Sequence, residues 1–329
     1  MLVRELEHGQ EVEGVLLVRD AELRRRRDGG AFLKLVLADR TGTVGAMVWD
    51  DAAAAAEACV RGCAVHVRGR FEVHQRWGAQ LAVSAIRVAE PGSYDLAALC
   101  DAPPRPADAM EADLRELVAT VQDPHLRRLL DALLGDGSPT WERFRTAPAA
   151  KHFHQAYVHG LLEHALTVAQ AVSAISATFP GIDRDVAVTG ALLHDIGKLD
   201  AYTSDPQAID MTDAGRLQGE IPLGYYLVRR TIEDLSAAGP VFPAATAQAV
   251  LHIILSHHGS LEHGSPVVPC TREATLVHFC DNLGGRLGSF DRLEKALAPG
   301  TTWSAYDRAL GASAYFGAAP APVAVPQAA

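Results

Sequence analysis

Six side chains of metal-holding type lie in apolar or helix-terminal settings along this sequence: His164, His194, Asp195, His257, His258 and Asp281. Imidazole and carboxylate are both good ligands for divalent transition metals. The densest stretch is Ala191-Leu192-Leu193-His194-Asp195-Ile196-Gly197-Lys198, where an apolar run delivers a histidine and an aspartate side by side. Neighbouring residues on a helix point about 100° apart, so one ion held by both must sit at a helix end or in a cleft between helices. Lys198, one turn further on, can meet an anionic substrate. A single His-Asp pair is more often a capping or surface pair. Here, however, 10 of the 14 histidines fall between residues 152 and 278, and a solvated surface would not concentrate them so. The pattern points to a metal centre.

The elements that must position these residues are helices. Leu114, Leu117, Val118 and Val121 share one face of a first helix, and Leu126, Leu129, Leu130 and Leu133 one face of a second. Asp123-Pro124 starts that second helix and Gly135 ends it. An apolar helix over about 161–178 carries His164, and Asp183 caps the next one, which ends in His194-Asp195. Helices over about 219–237 and 243–257 follow, the second running into Ser256-His257-His258-Gly259. The last begins near Thr271 and carries His278, Asp281 and Asn282. Residues 110–310 therefore form an all-α domain, and the Ala- and Pro-rich stretch 311–329 reads as a disordered tail.

Residues 1–90 follow a different period. Alternating apolar and polar residues predict strands at about 11–20, 31–39, 42–49, 63–74 and 79–89, with an alanine-rich helix between the third and fourth. That is the order of an OB-fold barrel, so the fold class is multidomain: an all-β OB barrel, then an all-α helical bundle. Such barrels bind single strands across strands two and three and the loop between strands one and two. The matching positions hold Arg24, Arg25, Arg26, Arg27, Phe32, Lys34 and Trp49, with Arg70, Arg76 and Trp77 near the last hairpin. Arginines supply phosphate contacts and the aromatics stack on bases. Residues 91–109, dense in proline, read as a linker.

Charge narrows the partners. Residues 1–90 carry 13 Lys+Arg against 13 Asp+Glu, while the remainder carries 17 against 27, the whole of the net −10. An acidic chain is not a non-specific nucleic-acid coat, so strand binding requires a local basic patch or a metal. No apolar run is long enough to span a membrane. The charged N-terminus lacks the apolar core of a signal peptide. Five cysteines without a Cys-x-x-Cys pair read as reduced thiols of a cytoplasmic protein.

The order His…His-Asp…Asp resembles that of the HD-domain metal-dependent phosphohydrolases. More narrowly, Gly160-Leu161-Leu162-Glu163-His164, Leu193-His194-Asp195-Ile196-Gly197-Lys198, Leu255-Ser256-His257-His258-Gly259, Gly264-Ser265-Pro266-Val267 and Asp281-Asn282 resemble the YhaM family. The resemblance covers roughly residues 10–310 and implies a 3′→5′ exoribonuclease that also acts on single-stranded DNA and forms a homo-oligomer. It implies His164, His194, Asp195 and Asp281 as metal ligands, with Asp195 bridging if two ions bind. His257 matches a second-metal ligand and His258 a ligand or substrate contact. Lys198 and Arg286 would face phosphate, and His154 the substrate. Three departures bear on the site. His154-Gln155 stands where the family has a His-His pair, so only His154 carries over, as the substrate contact. Gly219-Glu220-Ile221 stands where the family has Gly-His-Ile, so a carboxylate replaces a histidine and favours Mn²⁺ or Mg²⁺, with Fe²⁺ the softer alternative. Gly284-Gly285 stands where an Asp-Ala pair is common.

The mechanism this implies is metal-assisted hydrolysis of a phosphodiester, in which one or two ions on His164, His194, Asp195, Glu220, His257 and Asp281 lower the pKa of a water. Lys198 and either His154 or His258 would take up charge on the non-bridging oxygens. Two other readings fit the same residues. One is a phosphohydrolase of nucleotides or cyclic (di)nucleotides. The other, prompted by Glu220, is a nucleic-acid-binding protein with a weakened catalytic domain.

Overall fold

The structure, a computed structural model, describes residues 2–26, 29–74, 78–151, 155–295, 297, 301–308 and 310–317. Arg27, Arg76, Trp77 and His154 lie outside the described residues. The chain begins with five strands: β1 (Glu11–Arg25), β2 (Ala31–Asp39), β3 (Gly42–Val48), then helix α1 (Ala52–Ala58), β4 (Ala64–His74) and β5 (Gly78–Val88). They close into a barrel in the order β1-β2-β3-β5-β4, antiparallel except for the parallel β3–β5 pair. Strand alternation explains the closure. Leu33, Leu35 and Leu37 point inward to meet Val12, Leu16, Val65, Val67, Phe71 and Leu81, while Lys34 between them faces solvent.

The first strand is longer than the alternation predicts. It runs on to Arg25 because residues 20–25 pair with 31–36 of β2, past a bulge between Val18 and Asp20. Arg24 and Arg25 therefore ride on a strand, and only Arg26 of the described arginines sits in the loop. The tight turn to β3 is held by the buried Asp39. Its carboxylate accepts from the backbone N–H of Val3 at 2.6 Å, from the N–H of Thr41 at 2.7 Å and from the Thr41 hydroxyl at 2.6 Å.

The segment expected to be a linker has structure of its own. Helix α2 (Leu96–Leu99) lays Leu99 and Cys100 against Leu17, Ala64 and Ala89 on the barrel's outside. The apolar pair that follows Asp95, whose carboxylate caps the turn, drives this docking. The helices that follow are α3 (Ala107–Ala119), α4 (Pro124–Leu134), α5 (Pro139–Thr146), α6 (Gly160–Ser176), α7 (Arg184–Leu193), α8 (Lys198–Ala201), α9 (Asp213–Gln218), α10 (Glu220–Ala238), α11 (Ala244–Ser256) and α12 (Arg272–Lys295). Asp123 and Asp183 each accept two backbone N–H bonds at the starts of α4 and α7. One core, including Leu114, Leu129, Phe144, Leu162, Leu192 and Ile253, joins α3 to α12. Helix α7 is buried all round, from Val186 to Leu193, so it is the central rod of the domain.

Residues 303–315, expected as the end of the all-α domain and the start of a disordered tail, hold two strands instead. Strands β6 (Trp303–Asp307) and β7 (Ala312–Tyr315) form a hairpin. Asp307 anchors it by accepting from Arg292 of α12 at 2.5 Å and from the Leu310 N–H at 3.0 Å. Residues 318–329 lie outside the described residues. Among the described residues no helix is long and apolar enough to cross a membrane.

Replacing Asp39 with alanine strands three donors, and bonds to a charged acceptor are worth roughly 1.5–3 kcal/mol each before relaxation. Urea unfolding of Asp39→Ala should show a loss of about 2–4 kcal/mol; an unchanged midpoint would remove this carboxylate from the barrel's supports.

Candidate metal centre and nucleic-acid face

Two buried helix ends build the centre. At the end of α7, His194 turns back and donates its Nδ1–H to the Ala191 carbonyl at 2.7 Å. At the end of α11, His257 donates its Nδ1–H to the Ile254 carbonyl at 2.8 Å. Since a carbonyl only accepts, the proton is on Nδ1 in both rings and the Nε2 lone pair is free to face the site. Each bond also satisfies a terminal carbonyl of its own helix. His258 is locked in the same way by the His263 carbonyl at 2.8 Å. Two helix C-termini thus converge here, and their negative ends favour a cation.

Into this corner α6 brings His164 and α12 brings Asp281. His164 Nε2 lies 3.1 Å from Asp195 Oδ2, 3.1 Å from Asp281 Oδ1 and 3.2 Å from His194 Nε2. The other oxygen of Asp195, Oδ1, faces His257 Nε2 at 3.5 Å. One carboxylate therefore turns its two oxygens to two different groups of histidines. His164, His194 and Asp195 form one set, His194, His257 and Asp281 a second, and Asp195, His257 and His258 a third, each with ligand atoms within 4.8 Å of one another. Two atoms are open to a cation: among the described residues, Asp195 Oδ1 and His257 Nε2 are buried without a hydrogen-bond partner. The donor set, imidazole nitrogen with carboxylate oxygen, is that of a divalent transition metal.

Charge in the site is tightly coupled. Burial opposes a proton on His164, yet its bonds to Asp195 and Asp281 raise its pKa to about 9. Burial would raise Asp195 and Asp281, but Lys198 holds the first well below the usual carboxylate range, and the hydrogen bond from His164 depresses the second. In this arrangement a proton on His164 serves both carboxylates, the role a divalent cation would take. Lys198 does not stand free toward solvent. Its ammonium is 2.6 Å from Asp195 Oδ2, and despite burial that contact raises its pKa.

Gly197 explains how Glu220 arrives. A Cβ at Gly197 would run into the Glu220 carbonyl and the Gly224 nitrogen, so only glycine lets the first turn of α10 lie against the His194-Asp195 turn. Glu220 then reaches His258, with Oε1 3.5 Å from Nε2. Both atoms are acceptors, because the His258 proton is committed to His263. Burial also lowers the His258 pKa. A cation between the two acceptors would resolve the contact.

Arg286 is set apart from the cluster. It lies five residues beyond Asp281, about 140° round the helix, and its exposed guanidinium donates to Asn282 Oδ1 at 3.3 Å. Two contributors escape the motif reading. His278 donates Nδ1–H to the His257 carbonyl at 2.7 Å and so holds the α11 end in place; its only sequence signal is the i, i+3 spacing to Asp281. Tyr157 donates its hydroxyl to Glu163 Oε2 at 2.5 Å, next to His164, and nothing in its local sequence marks it.

On the barrel, the face over β2 and β3 carries the expected aromatic and basic groups. Phe32 and Trp49 pack as a tilted pair with centroids 5.1 Å apart and planes 31° apart, and Trp49 stays 43% exposed. The Arg26 guanidinium lies 5.7 Å from the Trp49 ring centre. Arg24 stands opposite Phe32 across the β1–β2 pair, and it donates to Glu22 at 2.7 Å. A second outward row runs sideways through Lys34, Met47, Ala82 and Arg70. Arg70 closes it near the N-terminus, donating to the Gly9 carbonyl.

Comparison with known proteins agrees with both halves. Residues 161–285 match the HD domain family, and residues 15–89 match the OB-fold nucleic acid binding domain. A 3′-5′ exoribonuclease YhaM from Geobacillus sp. (strain WCH70) is 30% identical over 299 residues, covering 89% of this chain and 88% of the relative. Among solved structures, the second OB-fold domain of replication protein A from Methanococcus maripaludis matches 27% of this chain and 94% of that chain, at 24% identity and a TM-score of 0.23.

His164 gives a pH test with a definite sign. Because its pKa is raised from 6.5 to about 9, its charge stabilises the metal-free fold fully below pH 6.5, and the contribution is lost as pH rises towards 9. Metal binding at pH 7 must displace this proton. Calorimetry with Mn²⁺ in two buffers of different ionisation enthalpy should show about one proton released, and His164→Ala should abolish that release. Binding without proton release would contradict the assignment.

Proposed function

This chain belongs to the YhaM family, and from that premise we propose that it is a divalent-metal-dependent 3′→5′ exonuclease of single-stranded RNA, and of single-stranded DNA, releasing 5′-nucleotides. The observation that carries the reading is Asp195. Its carboxylate is buried at the meeting of two helix ends, with one oxygen turned to His164 and His194 and the other, without a hydrogen-bond partner among the described residues, to His257. His164, His194, Asp195 and Asp281 would hold one divalent ion, and Asp195, His257, His258 and Glu220 a second. The carboxylate share of the second set favours Mn²⁺. Bound there, the metal would supply Lewis-acid chemistry, neutralising phosphate charge and lowering the pKa of a water.

The chain's own residues do the rest. Carbonyl bonds fix the His194 and His257 rings before substrate arrives, so no reorganisation is needed during reaction. Lys198 balances Asp195 and keeps it ionised. His258, its pKa lowered by burial, is neutral at neutral pH, so its Nε2 is an acceptor at the mouth of the site. Phe32 and Trp49 offer a stacking platform for unpaired bases, and Arg24, Arg26 and Lys34 flank it with positive charge. A stacked strand held there leaves its 3′ end to enter the metal cleft.

A 5′-labelled single-stranded RNA incubated with Mn²⁺ should shorten into a ladder from its 3′ end, and His194→Ala should lower that rate by about a thousandfold or more. Immediate release of the labelled 5′ nucleotide would sink the polarity. Trp49→Ala should weaken RNA binding by about 1–3 kcal/mol, the worth of one stacked base. If it leaves RNA turnover untouched, the small-nucleotide phosphohydrolase reading gains instead.

A further inference from the structure

Between the barrel and the metal centre lies a cluster of cations that the catalytic reading does not use. The loop after α8 folds back on itself through a bridge between Tyr202 and Met211 and places Asp210 at the seam of the two domains. Three cations from three separate segments meet that one carboxylate. Lys151 Nζ is 2.6 Å from its Oδ1, Arg216 of α9 is 3.1 Å away, and Arg61, from the barrel loop before β4, is 3.9 Å from Oδ2. Arg61 also donates to the Ile209 carbonyl at 3.0 Å, and Gly62 packs on Ala208. Arg19 of β1 lies near Arg61 and is offset by Asp101. Asp101 and Asp205 lie at the same seam, beside Arg19 and Cys100, so among the described residues four cations meet three carboxylates there, in a chain whose residues beyond 90 are strongly acidic.

Its position says what the charge is for. Tyr202, at the base of the same loop, lies within electrostatic reach of Lys198, Asp195 and Glu220. The cluster therefore stands one strand bridge from the metal cleft on one side and on the barrel loop on the other. Arg61, Lys151 and Arg216 all remain partly open to solvent, at 33%, 26% and 58% of their side chains. We propose that Arg61, Lys151 and Arg216 form a phosphate-binding station that takes a phosphodiester of the substrate strand on its way from the barrel face to the metal cleft, with Asp210 holding the three cations in place and competing with that phosphate.

This rests on the exonuclease reading and deepens it. It predicts opposite signs at neighbouring residues, which a merely structural latch does not. Binding of a fluorescently labelled single-stranded RNA to the full chain is measured by anisotropy in EDTA, over a range of salt. Arg61→Ala with Lys151→Ala should weaken binding by about tenfold and reduce the slope of log affinity against log salt by about 1.4, close to 0.7 for each cation removed. Arg216→Ala, at the most exposed of the three, should lower the slope by about 0.7 alone. Asp210→Asn should tighten binding, because it removes the competitor and leaves the cations. Thermal melting of each variant checks the fold. Unchanged salt slopes in the alanine variants overturn the station, and so does weaker binding in a folded Asp210→Asn. The 3′-end ladder of the unsubstituted chain tests the exonuclease reading separately, so a chain that makes the ladder but shows flat slopes loses the station alone.

Discussion

Everything in the helical domain answers to one buried carboxylate. Asp195 is almost wholly removed from water, and an ionised carboxylate in such a place costs several kcal/mol unless positive charge is close at hand. Lys198 supplies part of that charge through Asp195 Oδ2, and His164 supplies more. Asp195 Oδ1 is left with an acceptor, His257 Nε2, as its neighbour. Two lone pairs facing each other in a dry corner are tolerated only where a cation belongs. The same reasoning applies at the rim, where Glu220 faces the acceptor side of His258.

The surrounding architecture keeps that corner rigid. Helix α7 is buried from Val186 to Leu193, so its end cannot drift into solvent without exposing the central rod of the domain. Its terminal carbonyl at Ala191 is consumed by His194, as Ile254 is by His257. The ligands thereby cap the helices that carry them, and one hydrogen bond serves both stability and tautomer. His278 adds a further tie from α12, on the helix that also brings Asp281. The barrel contributes differently. Its interior is largely aliphatic, with Phe71 the aromatic exception, and Arg24, Phe32 and Lys34 lie on its outer rows, where strand alternation places them.

How much of this was legible beforehand depends on the range of the interaction. The strands of the barrel and most helix boundaries follow from alternation and period, and Asp123 and Asp183 mark helix starts because capping is local. The pairing that extended β1 to Arg25, the docking of α2 on the barrel, and the β6–β7 hairpin all rest on partners distant in the chain, so local pattern misjudged them. Arg286 illustrates the same limit at the site. The family resemblance implied a phosphate contact, and the turn of the helix sets it about 140° round from Asp281. Tyr157 and His278 act on residues they are not adjacent to in sequence, and so no local motif announces them.

By itself the amino-acid order determined which residue types were available for metal chemistry, which segments were helical or extended, and that histidines and aspartates would arrive at helix ends from apolar runs. Those are consequences of side-chain chemistry and short-range backbone preference. Only the tertiary structure decided that Asp195 divides its oxygens between two sets of histidines, that Lys198 is spent on Asp195 rather than held open, and that Glu220 comes to His258. Each of these depends on the approach of helices far apart in the chain, set by core packing and by a glycine at 197 that lets two backbones touch. Distances between ligands are properties of that packing, and no local pattern encodes them.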